Sequence, residues 1–332
     1  MSVETFRAMV VREEAGRFVR RIEARSIDDL PDGDLLVKVK YSALNYKDAL
    51  SATGYKGITR HYPHTPGIQA SGVVVASRCE QFKAGDEVIV AGFDLGMNTS
   101  GAFGEYIRVP ADWAIGALSG MTLRESMICG VAGFTAALSL YKLESAGLKP
   151  GTGPVLVTGA TGGVGSLAIA ILTRAGYEVV AATGKKDKAD YLRQLGASKV
   201  IPREDVDDTG GRSLLEQRWA GVVDSVGGSI LATAIKSTRY GGSVTTCGLA
   251  QSAQLNTTVY PFILRAVNLL GIDSLHCPAE IRMLLWEKLA GVWKPATLET
   301  ICTECGLEEI DEKIDLMLKG RLTGRTVINL EK

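Results

Sequence analysis

One glycine-rich segment, residues 155–165, constrains the fold of this chain more than any other feature. It reads Val-Leu-Val-Thr-Gly-Ala-Thr-Gly-Gly-Val-Gly, a G-x-x-G-x-x-G variant of the dinucleotide-binding fingerprint, between an apolar strand and a helix predicted over 164–175. Glycines let such a turn bring backbone N–H groups close to a pyrophosphate, and the helix N-terminus adds partial positive charge. Gly165 would let the helix pack onto the strand. The segment predicts a phosphate-binding turn; the alternative is a turn that binds nothing.

The sequence around this turn predicts a parallel α/β domain that follows a β-rich domain. Short strand candidates with glycine turns fill the first third of the chain, at 7–11, 35–39, 72–76, 87–91 and 106–109. A helix is predicted over 122–142, and after residue 154 strands alternate with helices. Such alternation is typical of a doubly wound parallel sheet. Helices predicted at 279–289 and 307–319 and a strand at 325–330 end the chain.

Length and composition exclude several classes of protein. A chain of 332 residues is long enough for two domains. Lys plus Arg and Asp plus Glu number 37 each, and this zero formal net charge argues against a nucleic-acid partner. No run of about 18 apolar residues occurs, so we expect no membrane partner. The N-terminus lacks the apolar core of a signal peptide, and the six cysteines are sparse and scattered; both features predict a cytoplasmic protein with reduced thiols.

The end of the second strand of the predicted parallel sheet indicates which nucleotide binds. Enzymes that use NAD carry an acidic residue there, which accepts a hydrogen bond from the ribose 2′-hydroxyl. This chain has Thr183, Gly184 and Lys185 instead, and Arg203 follows the third strand. Cationic side chains attract a 2′-phosphate, whereas a carboxylate would repel it. The segment therefore predicts NADPH as cofactor; the alternative is that its lysines only form a solvated helix start.

Several segments together resemble the medium-chain dehydrogenase/reductase superfamily. Within it, the chain is most similar to the zinc-free branch that holds the acryloyl-CoA reductase and quinone oxidoreductase subfamily. The segments that carry the likeness are 42–50, 64–72, 101–106 and 159–165, with Thr183, Lys185 and Arg203. The resemblance implies an α/β fold with a GroES-like β-rich catalytic domain at 1–125, completed by 276–332, and a Rossmann NADPH-binding domain at 126–275.

The resemblance also implies a set of residues around the cofactor. They come from the glycine turn, from the ends of later strands and from the two catalytic-domain segments: Tyr46, Thr161, Gly162, Gly163, Val164, Thr183, Gly184, Lys185, Arg203, Leu249, Ile263, Ser274 and Leu322.

Zinc ligands of related alcohol dehydrogenases are replaced in this chain. Those enzymes carry a cysteine in the early motif and a Gly-His-Glu, where this chain has Asn45, Tyr46 and Lys47 and then Gly67-Ile68-Gln69. Isoleucine cannot bind zinc, and residues 91–105 contain no cysteine for a structural zinc lobe. We therefore expect no bound metal.

Hydride delivery to an already polarised acceptor is the chemistry that remains without zinc. One acceptor is the carbon–carbon double bond of a short α,β-unsaturated acyl-CoA, whose developing enolate needs a hydrogen-bond donor. The alternatives are a quinone, and an NADPH-binding protein without turnover. Candidate catalytic residues are Asn45, Tyr46 and Asp48, although Tyr46 could only pack against the nicotinamide and Asp48 could only orient its turn. A sheet edge predicted at 269–272, beside the apolar stretch 260–264, predicts a homodimer.

Overall fold

The computed structural model describes residues 5–332, and contacts divide the chain into two compact units. Unit 1 contains the residues up to Val131 together with Cys302–Lys332, and unit 2 is Ala132–Ile301. The boundaries thus lie at 131 and 301, where the sequence interpretation placed them at 125 and 275. The first boundary differs from the expected one because it falls inside the helix Leu123–Ser145. The second differs because the helix at Leu298–Ile301 lies against the helix at Gly163–Arg174, so it belongs to unit 2.

The part of the chain up to residue 122 is mostly β structure. In chain order its elements are β1 (Thr5–Glu14), β2 (Arg17–Ser26), β3 (Leu35–Ala43), α1 (Tyr46–Ser51), β4 (Gln69–Ser77), β5 (Glu87–Ala91), β6 (Tyr106–Val109) and β7 (Ala114–Gly116).

From residue 123 onward helices and strands are interspersed and mostly alternate. The elements are α2 (Leu123–Ser145), β8 (Val155–Val157), α3 (Gly163–Arg174), β9 (Val179–Thr183), α4 (Ala189–Gln194), β10 (Lys199–Pro202), β11 (Trp219–Asp224), α5 (Gly228–Ser237), β12 (Thr238–Thr246), α6 (Tyr260–Arg265), β13 (Asn268–Gly271), α7 (Ala279–Ala290), α8 (Leu298–Ile301), β14 (Cys302–Cys305), α9 (Ile310–Leu318) and β15 (Arg325–Asn329).

Unit 1 is built on a sheet that joins the two ends of the chain. Its strand order is β14-β15-β3-β4-β5-β7, with β6 also paired to β3, while β1 and β2 form a separate hairpin. Along β3 the side chains of Leu35, Val37 and Val39 point into the core, as the period of two in a strand requires. The C-terminal β15 pairs with β3, so the last residues of the chain complete this unit.

Unit 2 contains a six-stranded parallel sheet in the order β10-β9-β8-β11-β12-β13. Every residue of β9 and β11 is buried, which is typical of strands covered on both faces. The order reverses between β8 and β11, and ligands of such sheets bind beyond the carboxyl ends of the strands at that reversal. The predicted fold class, a GroES-like domain plus a doubly wound Rossmann domain, is confirmed.

Helix α2 is broken at Gly130, whose φ of 47° and ψ of −152° are not helical. Within residues 5–332 it is the only helix long and apolar enough to cross a membrane, and 83% of its most apolar window is buried inside the protein. Its apolar character therefore fits a core helix.

Candidate functional site

The glycine turn of unit 2 lies between β8 and α3, as the sequence predicts. Gly159 has a φ of +59°, which favours glycine, and a Cβ on Gly165 would lie 2.3 Å from the carbonyl oxygen of Gly159. Helix α3 begins after Gly162, and no side chain of the described residues caps its N-terminus. The first N–H groups of a helix lack partners within the helix, so this turn fits a phosphate group.

Two threonines lie beside this turn at the carboxyl end of β9. The hydroxyl oxygens of Thr161 and Thr183 are 3.5 Å apart, and both residues are buried. The N–H of Lys185 donates to Thr183 Oγ1 at 3.0 Å, which shapes the backbone that leaves the strand. Burial lowers the pKa of Lys185, with opposing effects from Asp187 and Lys188.

Arg203 joins this group because β9 and β10 run side by side. Their register pairs Thr183 with Pro202, so the residues that follow, Gly184 and Arg203, are neighbours. A Cβ built on Gly184 would lie 3.1 Å from Arg203 Cδ. The Arg203 Nε atom is 3.5 Å from the carboxylate of Glu204 at the surface. Two cations and two hydroxyls thus surround the end of β9, a donor set that fits a ribose with a 2′-phosphate.

A pocket of about 660 Å³ opens at the carboxyl ends of β12 and β13. Cys247 and Leu249 line one side, and Ile272 and Asp273 line another. Asp273 Oδ2 lies 2.7 Å from His276 Nδ1, and this contact lowers the pKa of Asp273. Most residues that line the pocket are apolar or small, as in a site for a flat ring.

The remaining cofactor residues expected in unit 2 do not line this pocket. Ile263 is exposed on α6, and the carbonyl of Ser274 accepts a hydrogen bond from Arg282 at 3.2 Å. Unit 1 holds the last of the expected set: Tyr46 is the first residue of α1, and Leu322 packs against the unit 1 core.

The carboxylate of Asp48 organises the segment before α1. Its Oδ2 accepts the backbone N–H of Asn45 at 2.7 Å and the Asn45 side-chain amide at 3.2 Å, and its Oδ1 accepts the N–H of Ile68 at 2.9 Å. Burial raises the pKa of Asp48 to about 6 although these hydrogen bonds favour the ionised form. The other hydrogen of the Asn45 amide is donated to Ala43 O at 3.0 Å, so both are used inside the protein. Tyr46 differs, since 52% of it is exposed.

Arg325 completes this group and was missed by the sequence interpretation. Its Nη1 donates to Asn45 Oδ1 at 3.1 Å, and its Nε donates at 3.1 Å to the carbonyl oxygen of Ile128, two residues before the break in α2. Burial lowers the pKa of Arg325 to about 10. A cation at the start of an apolar strand is the only signal that the sequence carries for this role.

Metal ligands are not grouped in the part of the chain that the structure describes. Residues 5–332 contain no cluster of three or more His, Cys, Asp or Glu side chains that could hold an ion. Ile68 is buried, with its backbone bound to Asp48. Cys302 and Cys305, on β14, are not joined in a disulfide.

Comparison with known proteins covers both units. Residues 31–118 match the alcohol dehydrogenase GroES-like domain, and residues 163–290 match the zinc-binding dehydrogenase family. The chain is 46% identical to the "Putative quinone oxidoreductase YhfP" of Bacillus subtilis, over 98% of this chain and 99% of that protein. It is 43% identical to the acrylyl-CoA reductase AcuI of Ruegeria pomeroyi, with the same coverage.

Solved structures agree with this fold. YhfP, solved with NAD bound, has a TM-score of 0.96 at 45% identity and covers 98% of this chain and 100% of that one. The YhdH oxidoreductase from Salmonella enterica, solved in complex with NADP, has a TM-score of 0.95 at 40% identity and covers 98% of this chain and 99% of that one.

A GroES-like unit joined to a Rossmann unit, with a glycine turn at the sheet reversal, defines a medium-chain dehydrogenase/reductase. The chain belongs to the zinc-independent branch of this family, together with YhfP and AcuI.

Proposed function

We propose that this protein is an NADPH-dependent oxidoreductase that reduces the carbon–carbon double bond of a short α,β-unsaturated acyl-CoA such as acryloyl-CoA. The observation that carries the cofactor assignment is the pair of cations, Lys185 and Arg203, at the end of β9, where no carboxylate follows Thr183 directly. The acyl-CoA assignment rests on the 43% identity to AcuI over nearly the whole chain.

Residues of unit 2 would bind NADPH along its whole length, at the 2′-phosphate, the pyrophosphate and the nicotinamide. The uncapped start of α3, at Gly162, Gly163 and Val164, would bind the pyrophosphate, and Lys185 with Arg203 would bind the 2′-phosphate. The pocket beside Cys247 and Leu249 would receive the nicotinamide end, because it lies at the carboxyl ends of the next strands. When bound, the nucleotide supplies a hydride.

In unit 1, the side chain available to the acceptor is Tyr46. Its phenol is exposed, so it can donate a hydrogen bond to the thioester oxygen as negative charge develops there. Asn45 and Asp48 act by fixing the backbone from which Tyr46 projects. Their side chains are hydrogen-bonded to each other, and Asn45 also accepts a hydrogen bond from Arg325. Water would supply the proton to the α-carbon.

Two other functions fit parts of the same geometry. The name of YhfP favours a quinone acceptor, which needs little beyond proximity to the reduced nicotinamide. A protein that binds NADPH without turnover would use the same residues of unit 2.

Acceptor screening with NADPH separates the three functions. The purified protein is mixed with NADPH and with acryloyl-CoA, crotonyl-CoA or one of several quinones, and kcat/KM is measured for each acceptor. We expect acryloyl-CoA to give the highest value. A quinone that is better by tenfold or more would make the protein a quinone reductase. NADPH binding without acceptor-dependent oxidation would make it a binding protein.

We further propose a cytoplasmic homodimer. Strand β13 is the last strand of the unit 2 sheet, and an open edge favours pairing with a second copy across a twofold axis. Shortly before β13 in the chain, on and before α6, four apolar side chains are exposed: Val259, Tyr260, Ile263 and Leu264. None of the six cysteines, all within residues 5–332, takes part in a disulfide, as suits a reducing compartment.

A further inference from the structure

We propose that Asp224 is a positioning residue that fixes the spacing between the phosphate turn and the nicotinamide pocket. The inference rests on the proposed binding of NADPH. It assigns a role to a buried acid that contacts neither the nucleotide nor the acceptor in that proposal.

Asp224 ties together the carboxyl ends of three adjacent strands. It is the last residue of β11, between β8 and β12. Its Oδ1 accepts a hydrogen bond from Thr158 Oγ1 at 2.7 Å, and Thr158 directly precedes the glycine turn. Its Oδ2 accepts one from Thr246 Oγ1 at 3.3 Å, and Thr246 itself lines the pocket, beside Cys247. One carboxylate therefore holds both parts of the nucleotide site.

Backbone contacts around Asp224 strengthen the same link. The Cys247 N–H donates to the carbonyl oxygen of Asp224 at 3.0 Å, and the N–H of Gly227 donates to Asp224 Oδ2 at 3.0 Å. The next residue, Ser225, donates its N–H to Thr158 Oγ1 at 3.2 Å. A Cβ on Gly248 would lie 2.1 Å from the carbonyl oxygen of Ser225. Gly248, which lines the pocket, therefore packs directly against the residue that follows Asp224.

The number of hydrogen bonds that the Asp224 side chain accepts explains why an acid is needed here. The side chain is fully buried, and burial raises its pKa, while hydrogen bonds from the Thr158 hydroxyl and from the Gly227 and Val226 N–H groups favour the ionised form. A carboxylate offers about four acceptor sites and no donor, so it can receive all of these hydrogens. The side-chain amide of an asparagine at this position would point one N–H donor at a group that now donates to Asp224, such as the Gly227 N–H or the Thr158 hydroxyl. Asp224→Asn should therefore let the two strand ends move apart.

The predicted effect depends on which part of the nucleotide is tested. Adenosine 2′,5′-bisphosphate contains adenosine, its 2′-phosphate and one 5′-phosphate, so it would bind at Lys185, Arg203 and the phosphate turn without reaching the pocket. NADPH must span from that end to the pocket beside Cys247. A change in spacing should weaken NADPH and leave the fragment unaffected.

The test measures dissociation constants for NADPH and for adenosine 2′,5′-bisphosphate by titration. In Asp224→Asn we expect the NADPH constant to rise at least tenfold and the fragment constant to change by less than about twofold. Thr246→Val, which removes one donor at nearly constant volume, should show the same selectivity with a smaller rise of about threefold or more. Asp190→Asn, at an exposed surface ion pair, is the matched control and should behave as wild type.

Each outcome decides between the alternatives. Wild-type NADPH affinity in both variants would overturn the positioning role, as would equal losses for NADPH and the fragment, which indicate general disorder of unit 2. If Asp224→Asn does not fold, Thr246→Val decides alone. If the wild-type protein binds neither ligand, the proposed function fails instead of this inference.

Discussion

The side chain of Arg203 lies over Gly184, with its Cδ only 3.1 Å from the position that a Cβ on residue 184 would take. This proximity follows from the parallel register of β9 and β10, which pairs Thr183 with Pro202. The arginine is thereby brought to the end of the strand that we propose selects the nucleotide, although 18 residues of sequence, 185–202, separate it from Gly184.

Removal of the cations should change the choice between nucleotides. Charge-assisted hydrogen bonds contribute about 1.5–3 kcal/mol each, so Lys185→Ala/Arg203→Ala should weaken NADPH binding at least tenfold and NADH binding little. Dissociation constants for both nucleotides in wild type and variant check this. Arg193→Ala, which breaks an exposed ion pair with Asp190, is the control. Equal losses for NADH and NADPH would show that these residues do not bind the 2′-phosphate.

Substitution at Gly165 should disrupt the phosphate turn itself. In Gly165→Ala the new methyl group would lie 2.3 Å from the carbonyl oxygen of Gly159 and 2.8 Å from Ala160 Cα, so α3 or the turn must shift. We expect NADPH and NADH binding to weaken together, by tenfold or more. Gly116→Ala, where no atom lies within 4 Å of the new Cβ, should bind both normally. Normal binding by Gly165→Ala would contradict a pyrophosphate site at this turn.

Loss of the Tyr46 hydroxyl should affect turnover and not nucleotide binding. Removal of one donor to a developing oxyanion commonly costs about 10²–10³ in rate, so Tyr46→Phe should lower kcat with acryloyl-CoA at least 100-fold. NADPH fluorescence titration should give the wild-type dissociation constant. Tyr55→Phe, at a tyrosine of similar exposure in the same unit, serves as the control. A kcat within threefold of wild type would leave Tyr46 only a packing role.

Stability at neutral pH should depend on Glu304. Its carboxylate accepts hydrogen bonds from Arg124 Nε at 2.7 Å and Asn329 Nδ2 at 3.1 Å, and contact with Arg124 above all lowers its pKa from 4.5 to about 2. A lowered folded-state pKa stabilises the protein above pH 4.5, and this contribution is lost as pH falls toward 2. Glu304→Gln should therefore lower the Tm by about 2 °C at neutral pH and by less than half of that near pH 3.

Thermal unfolding of wild type and variant at the two pH values checks this prediction. Glu216→Gln, at an exposed glutamate, controls for the general effect of removing a negative charge. The same Tm difference at both pH values would mean that Glu304 stabilises the protein by something other than its charge.

A negatively charged side chain introduced on α6 should dissociate the proposed dimer into single chains. Leu264 is exposed on α6, the helix that precedes the edge strand β13 in the chain, and burying a carboxylate against a second apolar patch is unfavourable. Light scattering should give about twice the 35.3 kDa mass of one chain for wild type and a single-chain mass for Leu264→Glu. A wild-type mass near 35.3 kDa at micromolar concentration would remove the dimer.

Local patterns made the glycine turn and the strand ends of the proposed nucleotide site predictable. The glycine spacing at 159–165 requires a tight turn wherever the chain places it, and alternating strands and helices permit few sheet orders. The sequence alone also shows that no acidic residue directly follows Thr183. Arg203 could be assigned because parallel neighbours in a Rossmann sheet bring their carboxyl ends together.

Long-range partners and helix breaks were not predictable in the same way. Arg325 is 280 residues from Asn45 in sequence, and nothing local shows that an arginine at the start of an apolar strand will bind that side chain. The boundary at Val131 was missed because α2 has an uninterrupted helical pattern, while its break depends on the backbone at Gly130. There the side chain of Gln69 accepts the freed N–H of Val131 at 2.6 Å, a contact that no spacing indicates.

Transfer of a labelled hydride from NADPH to acryloyl-CoA tests the proposed reaction. NADPH that carries deuterium at the transferable position of nicotinamide C4 is incubated with the protein and acryloyl-CoA, and the product is analysed by mass spectrometry and NMR. We expect propionyl-CoA with one deuterium on the β-carbon, formed in equal amount to the NADPH consumed. NADPH consumption without propionyl-CoA, or only in the presence of quinones, would contradict the proposed reaction.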